Sequence, residues 1–135
     1  MIFSIELEVR DYECDVQGIV NNAVYQNYFE HARHKFLQFK KLDFKEFTDR
    51  KINLVLIRSE IDYQFSLTCN NKFIVTVECQ KLSKLKALFH QVIYLLDHDG
   101  KSSKVVSTAK FYAVAINERG RPQCLEEIGL HIFDV

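Results

Sequence analysis

An α+β domain is the fold class that the sequence predicts, and three patterns predict it. Polar and apolar residues alternate over 3–10, as they do in a half-buried strand. The period then changes to about 3.6 residues over 22–40, as in an amphipathic helix. Strand-like patterns return over 52–66, 73–83, 86–96 and 103–116. Since one apolar helix and one sheet must each bury a face, the simplest packing curls the sheet around the helix.

The first strand is predicted from its two faces. Its apolar positions are Phe3, Ile5, Leu7 and Val9, and its polar positions are Ser4, Glu6, Glu8 and Arg10. This alternation also argues against a secretion signal at the start of the chain. The 135 residues contain no repeat or linker, so we expect a single domain over 1–135.

The long helix is predicted from Asn22 to Lys40, with Asn21 or Asn22 as its N-cap. Its length would be about 28 Å at the rise of an α-helix. The expected apolar stripe consists of Val24, Tyr25, Tyr28, Phe29, Ala32, Phe36 and Phe39. A short second helix is expected to begin at Asp43, because Glu46 stands at the capping-box spacing.

The four later strands are expected to form a meander, which gives a five-stranded antiparallel sheet. The segment 86–96 is apolar at positions of both parities, so we expect a central strand that is covered on both faces. The outer strands leave edges to be satisfied. Pairing of edges across a two-fold axis would extend the sheet through a homodimer.

The composition excludes several classes of function. Lys plus Arg and Asp plus Glu are both 18, so there is no net field to attract nucleic acid or an anionic membrane. No apolar run reaches the roughly 18 residues of a membrane span. None of the four cysteines lies in a C-x-x-C pair, which favours reduced thiols in a cytoplasmic protein over a zinc site or a disulfide framework.

The candidate catalytic groups lie in the loop before the long helix and at the start of that helix. Asp15 stands three residues before Gly18, and the helix begins soon after. The first turn of a helix carries unpaired N–H groups and partial positive charge, which suit a developing oxyanion. Together with one carboxylate they would suffice for acyl transfer. From spacing alone, the other interpretation is that Asp15 is a cap or a solvated loop residue.

The same stretch resembles the hotdog-fold acyl-CoA thioesterases, in the branch that contains 4-hydroxybenzoyl-CoA thioesterase and the Tol-Pal-associated thioesterase. That branch reads approximately D-x-x-G-x-V-x-(H/N/Y)-x-x-Y-x-x-(Y/W/F)-x-E-x-A-R. The matching residues are Asp15, Gly18, Val20, Asn22, Tyr25, Tyr28, Glu30, Ala32 and Arg33. The resemblance implies a hotdog fold, a five-stranded antiparallel sheet wrapped around one long central helix.

What the resemblance implies for activity is hydrolysis of an acyl-CoA to a free acid and CoA. Asp15 would be the nucleophile or general base, the Asn22 N–H would stabilise the oxyanion, and Gly18 would allow the tight turn. The active site would lie at the interface of a homodimer or homotetramer, without a metal or an organic cofactor. Relatives commonly carry a proline and a G-D pair in the turn that here reads "SLTCNNKF", and His or Tyr in place of Asn22. The acyl class is therefore left open.

Four further residues are candidates for supporting roles. Glu30 matches the helical carboxylate of a second hotdog branch, but at its spacing it could instead pair with Arg33 or His34. Tyr25 either packs in the core or lines the acyl pocket. Lys84 and Lys86 either meet CoA phosphates, as basic residues there do in relatives, or lie on a solvated hairpin.

Two other functions fit the same fold. A hotdog enoyl-acyl hydratase or dehydratase needs a histidine beside a carboxylate, and the loop 11–22 contains no histidine. An acyl-binding module without catalysis would bind acyl-CoA and release no thiol. His31 and His34 are three residues apart on the polar side of the helix, where a solvated face is a better interpretation than a metal site.

Overall fold

The structure, a computed structural model, describes residues 2–42 and 49–128. The predicted second helix at Asp43 and Glu46 lies outside the described residues. Within the described residues the chain forms one long helix and six strands, together with short 3-10 turns at Asp11–Glu13 and Leu125–Ile128. The elements in chain order are β1 (Phe3–Glu8), α1 (Asn22–Phe39), β2 (Asn53–Tyr63), β3 (Lys72–Lys81), β4 (Lys86–Leu96), β5 (Ser102–Ile116) and β6 (Pro122–Gln123).

The sheet is antiparallel, and its five long strands lie in the order β1-β3-β4-β5-β2. β4 is the central strand, as predicted. The two-residue strand β6 adds to the end of β5. These strands and α1 confirm the predicted α+β class.

The predicted four-strand meander is wrong at its first step. β2 pairs with β5, with Glu60 opposite Lys110, and does not pair with β3. The connection after β2 is held instead at the start of α1, where Leu67 N–H donates to the Tyr25 hydroxyl at 3.0 Å. The Leu67 carbonyl also accepts from Val20 N–H at 2.9 Å. These bonds carry the chain across the helix start before β3 begins beside β1.

The core lies between α1 and the concave face of the sheet. Rings from the helix meet rings from the strands, with Tyr28 and Phe73 centroids 4.7 Å apart and Phe29 and Phe111 centroids 5.4 Å apart. Buried aromatic side chains of this kind supply a large part of the apolar area that stabilises a domain. The predicted stripe is wrong at Phe39, which is 65% exposed, and it omits Leu37, which is buried.

A buried cation is the unexpected feature of this core. The Arg33 guanidinium lies 4.2 Å from the centroid of the Phe111 ring and donates to Gln91 Oε1 at 3.0 Å. Gln91 in turn donates to the Phe29 carbonyl at 3.0 Å. Burial lowers the pKa of Arg33 to about 10. The ring and the amide replace part of the hydration that the cation loses.

The two faces of β4 are not equally covered. Ala87, Phe89 and Ile93 on the inner face are buried against the helix side. Leu88 and Tyr94 on the outer face are only half-buried. Val92, which lies on the same outer face, is only 8% exposed, so the expectation that both faces are covered holds in part for a single chain.

Candidate active site

The loop between β1 and α1 is closed by hydrogen bonds of its own. Asp15 N–H donates to the Ile19 carbonyl at 2.8 Å, and Gly18 N–H donates to the Asp15 carbonyl at 3.0 Å. Gly18 has a φ of +80°, which a side chain at this position would strain. Gly18 thus provides the tight turn that the sequence predicts.

The carboxylate of Asp15 belongs to this turn. Its Oδ1 accepts from Gln17 N–H at 2.8 Å, which fixes the direction of the side chain. The residue is otherwise exposed to solvent. Within residues 2–42 and 49–128 no cation pairs with the Asp15 carboxylate.

The start of α1 leaves the backbone N–H of Asn22 open within residues 2–42 and 49–128. The N-cap is Asn21, whose side chain accepts from Ala23 N–H at 3.0 Å and whose carbonyl accepts from Val24 N–H at 2.9 Å. Asn22, the first helical residue, has an N–H with no hydrogen-bond partner among the residues that the structure describes. The positive end of the helix dipole adds to this free donor.

Asp15 and Asn22 meet at a cavity of about 590 Å³, which we call the N-terminal cavity. Its lining combines the loop, the first turn of α1 and the chain that follows β2. The lining residues are Asp15, Ile19, Val20, Asn21, Asn22, Tyr25, Tyr63, Gln64, Phe65 and Ser66. Three of the predicted site residues, Asp15, Asn22 and Tyr25, therefore share one cavity.

Tyr25 is both a core residue and part of the cavity wall. Its ring is 4% exposed and stands edge-on to Tyr63, with centroids 5.5 Å apart. Burial raises the pKa of Tyr25, so its hydroxyl keeps its proton. The hydroxyl accepts from Leu67 N–H, which leaves its own proton for a second partner.

The wall contributed by 63–66 is absent from the sequence predictions. Tyr63 lies 41 residues after Asn22, whose carbonyl its hydroxyl approaches at 3.4 Å. No local pattern marks these residues, because their place depends on the pairing of β2 with β5. The predicted strand end at 66 is the one signal that could have pointed to them.

Glu13 holds the loop on the helix. Its Oε1 accepts from the Tyr28 hydroxyl at 2.9 Å and from Arg10 N–H at 2.8 Å. Its carbonyl accepts from Asn21 N–H at 3.3 Å. Burial and the bond to Glu13 raise the pKa of Tyr28, so this phenol remains a donor. Glu13 and Tyr28 thus fix the loop relative to the helix start.

Glu30 does not line the N-terminal cavity. It lies eight residues beyond Asn22, about 12 Å along the helix. Its Oε1 is 3.6 Å from His34 Nε2, the pairing that the spacing also allowed. Burial lowers the pKa of His34.

Lys84 and Lys86 lie at the other end of the sheet. Lys86 is opposite Val114 on β5, whereas Tyr63 is opposite Ser107. These two positions on β5 are seven residues apart, which corresponds to about 23 Å. Within one chain the two lysines therefore do not reach the N-terminal cavity.

Residues 2–42 and 49–128 contain no cluster of three or more His, Cys, Asp or Glu side chains that could hold a metal ion. Among the same residues, no helix is long and apolar enough to cross a membrane. The cytoplasmic location stays a prediction.

The amino-acid sequence is similar to those of known proteins. Residues 9–127 match the thioesterase-like superfamily. The chloroplastic acyl-acyl carrier protein thioesterase ATL2 of Arabidopsis thaliana is 33% identical over 118 residues, which cover 87% of this chain and 61% of the relative. The long-chain acyl-CoA thioesterase FadM of Escherichia coli is 30% identical over 90 residues, 67% of each chain. The chain thus spans about three fifths of the length of the Arabidopsis relative.

Solved structures agree on the fold. A hypothetical protein of Aquifex aeolicus superposes with a TM-score of 0.85 at 25% identity, covering 97% of this chain and 98% of the other. A 1,4-dihydroxy-2-naphthoyl-CoA thioesterase from Synechocystis gives a TM-score of 0.89 at 16% identity, covering 99% and 96%. The hotdog fold is confirmed. The narrower branch with 4-hydroxybenzoyl-CoA thioesterase is not confirmed and stays a prediction.

Proposed function

We propose that this chain, which belongs to the thioesterase-like superfamily, hydrolyses an acyl-CoA to a free acid and CoA. The observation that supports the proposal is that Asp15 and Asn22, the first residue of α1, both line the N-terminal cavity. A thioester needs a nucleophile on its carbonyl carbon and a donor for its carbonyl oxygen. The cavity offers one of each.

The reaction follows from these two groups. As the carbonyl carbon is attacked, its oxygen becomes negative and accepts a hydrogen bond from the Asn22 N–H at the positive end of α1. Asp15 either attacks the carbon to give an anhydride, which water then opens, or removes a proton from the attacking water. In both routes the C–S bond breaks and the thiolate of CoA leaves.

Two of the remaining predicted residues, Tyr25 and Gly18, have supporting roles in this proposal. Tyr25 lines the cavity and presents its hydroxyl proton to the acyl group. Gly18 makes the turn on which Asp15 stands. Glu30 is too far along the helix to join them, and we assign it no catalytic step.

The proposal includes a second copy of the chain. β2 is an edge strand of 11 residues, and it exposes Leu56, Ile57 and Tyr63 at 43%, 51% and 47%. A long exposed apolar edge of this kind is suited to pairing with another strand. Antiparallel pairing of β2 with β2 would continue the sheet across a two-fold axis.

This pairing would bring Lys84 and Lys86 of one copy near the candidate site of the other copy. In an antiparallel pair of sheets, the far end of one sheet lies beside the cavity end of the other. The two lysines of one copy would then approach the N-terminal cavity of the second copy, where CoA phosphates would meet them. A homodimer is the smallest assembly that completes the site, and a homotetramer would pair two such dimers.

Acyl carrier protein is a second possible carrier of the acyl group and needs a parallel test. ATL2 and ATL3 of Arabidopsis thaliana, which are 33% and 32% identical to this chain, are named acyl-acyl carrier protein thioesterases. The acyl group and the chemistry at the carbonyl carbon are the same for both carriers. The carriers differ in what lies beyond the phosphopantetheine arm. Parallel assays with one acyl group on CoA and on acyl carrier protein therefore separate the two.

The experiment is a panel of aromatic, short and medium acyl-CoA substrates with a free-thiol readout. We expect thiol release by the parent chain and a loss of about 10²–10⁴-fold in Asp15→Asn. Asp11→Asn is the matched control, because Asp11 is an exposed carboxylate of the same loop that does not line the N-terminal cavity. Hydrolysis by Asp15→Asn at the parent rate would overturn the assignment. Binding without thiol release would favour the acyl-binding module.

A further inference from the structure

Two thiols lie together beside the catalytic loop. The sulfurs of Cys14 and Cys69 are 3.1 Å apart, although the residues are 55 positions apart in the chain. Cys14 immediately precedes Asp15, and Cys69 follows Thr68 in the connection between β2 and β3. A disulfide bond measures about 2.05 Å, so the sulfurs need to approach by only about 1 Å to be joined.

The backbone on both sides of the pair is already joined. Ile19 and Thr68 form a β-bridge, and Cys14 forms another with Val20. The two segments that carry the thiols are therefore neighbours by backbone pairing as well as by side-chain contact. A bond between the sulfurs would link the loop of Asp15 to the chain that forms the opposite wall of the N-terminal cavity.

The pair is accessible and chemically distinct from the other thiols. Cys69 is exposed and Cys14 is partly exposed, whereas Cys79 is buried under the helix. An open cavity of about 940 Å³ adjoins Cys69 and admits small reagents. The hydrogen bond with Cys69 is the main reason that the pKa of Cys14 rises to about 11, so Cys14 holds its proton at neutral pH.

We propose that Cys14 and Cys69 form a reversible disulfide by exchange with a low-molecular-weight disulfide such as oxidised glutathione. The thiolate of the exposed Cys69 attacks one sulfur of the external disulfide, whose S–S bond breaks and releases one glutathione thiolate. Cys14 then loses its proton to solvent and attacks the Cys69 sulfur of the mixed disulfide. The second glutathione leaves, so two protein thiols are oxidised while one external disulfide is reduced to two thiols.

The consequence for turnover rests on the proposed function. Closing the bond draws Cys14 towards Cys69 by about 1 Å, and Asp15 is the next residue. A shift of this size in a reacting group costs up to about 100-fold in rate. We therefore expect the oxidised protein to hydrolyse acyl-CoA at least about tenfold more slowly, and reductant to restore the rate.

The chemical test does not depend on enzyme activity. The purified protein is equilibrated with oxidised glutathione, alkylated and digested without reduction, and the peptides are identified by mass. We expect a peptide pair joined through Cys14 and Cys69, together with a rise of several degrees in the thermal midpoint, because the bond restricts the unfolded chain. Free thiols at both positions, glutathione retained on Cys69, or an unchanged midpoint would overturn the proposal.

Variants separate this pair from general thiol oxidation. Cys14→Ser should retain glutathione on Cys69 as a mixed disulfide, because the resolving sulfur is missing. Cys124→Ser is the matched control, since Cys124 is also partly exposed but lies beyond β5, and it should form the bond as the parent does. Loss of the joined peptides in Cys124→Ser would contradict the assignment.

The activity arm distinguishes the two proposals. Slower hydrolysis after oxidation of the parent, with no change in Cys69→Ser, supports the link between the bond and the loop. A joined pair with an unchanged rate refutes that link. If the reduced protein hydrolyses no acyl thioester, the proposed function fails, while the peptide map and the thermal midpoint still decide the disulfide.

Discussion

The two ends of α1 differ in what their backbone leaves open. At the C-terminal end, the carbonyls of Phe36, Leu37 and Gln38 accept from the N–H groups of Lys40, Leu42 and Lys41 at 2.8–3.0 Å. At the N-terminal end, the Asn21 cap satisfies Ala23 and Val24 and leaves the Asn22 N–H open. One end of the helix is closed by its own chain, whereas the other presents a donor.

Each end of α1 also borders a cavity, and the larger of the two cavities lies at the end without an open donor. The cavity beside the C-terminal end of α1, which we call the C-terminal cavity, measures about 790 Å³ against about 590 Å³ for the N-terminal cavity. Phe3, Phe36 and Phe39 line it, and the helix end beside it carries partial negative charge. A developing oxyanion would be repelled there. The candidate site is therefore located by the placement of donors and charge and not by the volume of the cavity.

The largest effect on stability is expected from Tyr25→Phe at the N-terminal end. Leu67 is fully buried, and its N–H loses its acceptor when the hydroxyl is removed. An unsatisfied buried donor costs about 1–3 kcal/mol in the free energy of unfolding. Urea titration measures the loss, with Tyr63→Phe as control, since the Tyr63 hydroxyl is 3.4 Å from its acceptor on an exposed residue. Equal stability of the two variants would contradict the described role of Tyr25.

A smaller effect is expected from Tyr28→Phe, which tests whether the loop of Asp15 must be held on the helix. The ring still packs on Phe73, but the bond to Glu13 that holds the loop is lost. The free energy of unfolding should fall by about 1 kcal/mol. The kcat for acyl-CoA should fall several-fold because Asp15 is less well positioned.

Tyr12→Phe is the control for this variant. Tyr12 is exposed, and its hydroxyl accepts from Arg10 at 2.6 Å without reaching the helix. Parallel measurement of kcat and unfolding should show a change for Tyr28→Phe alone. Equal kcat in both variants would mean that the loop needs no tie to α1.

The smallest effect is expected at the C-terminal end. Phe39 is 65% exposed, so Phe39→Ala should change the free energy of unfolding by only about 0.5 kcal/mol. The thioester does not enter the C-terminal cavity in our account, so kcat and KM should stay at the parent values. Steady-state kinetics is the measurement. A fall in turnover as large as that of Asp15→Asn would contradict the claim that the thioester does not enter the C-terminal cavity.

Local patterns predicted the helix start and the central strand. The helix begins at Asn22 because Asn21 is a short polar side chain that reaches back to a free N–H, a preference visible in the sequence. β4 was recognised as central because its apolar residues occupy both parities. These features depend on residues within one element.

Features that depend on distant pairing were missed. Arg33 was not expected to be buried, because its partners Gln91 and Phe111 come from β4 and β5. Tyr63 reaches the N-terminal cavity only because β2 crosses to β5. Phe39 follows the helical period, yet it lies in the last turn of α1 beside the open C-terminal cavity and stays exposed.

The most direct measurement compares acyl-CoA hydrolysis by Asn22→Pro and Asn22→Ala. Proline at the first helical position removes the N–H without disturbing the helix, and Asn21, at φ −63° and ψ 138°, already has the conformation that proline requires before it. Alanine keeps the N–H, so it controls for loss of the side chain. We predict a fall in kcat of about 10²–10³-fold for the proline variant, with an unchanged thermal midpoint, and near-parent turnover for the alanine variant. Equal turnover of the two folded variants would contradict the account.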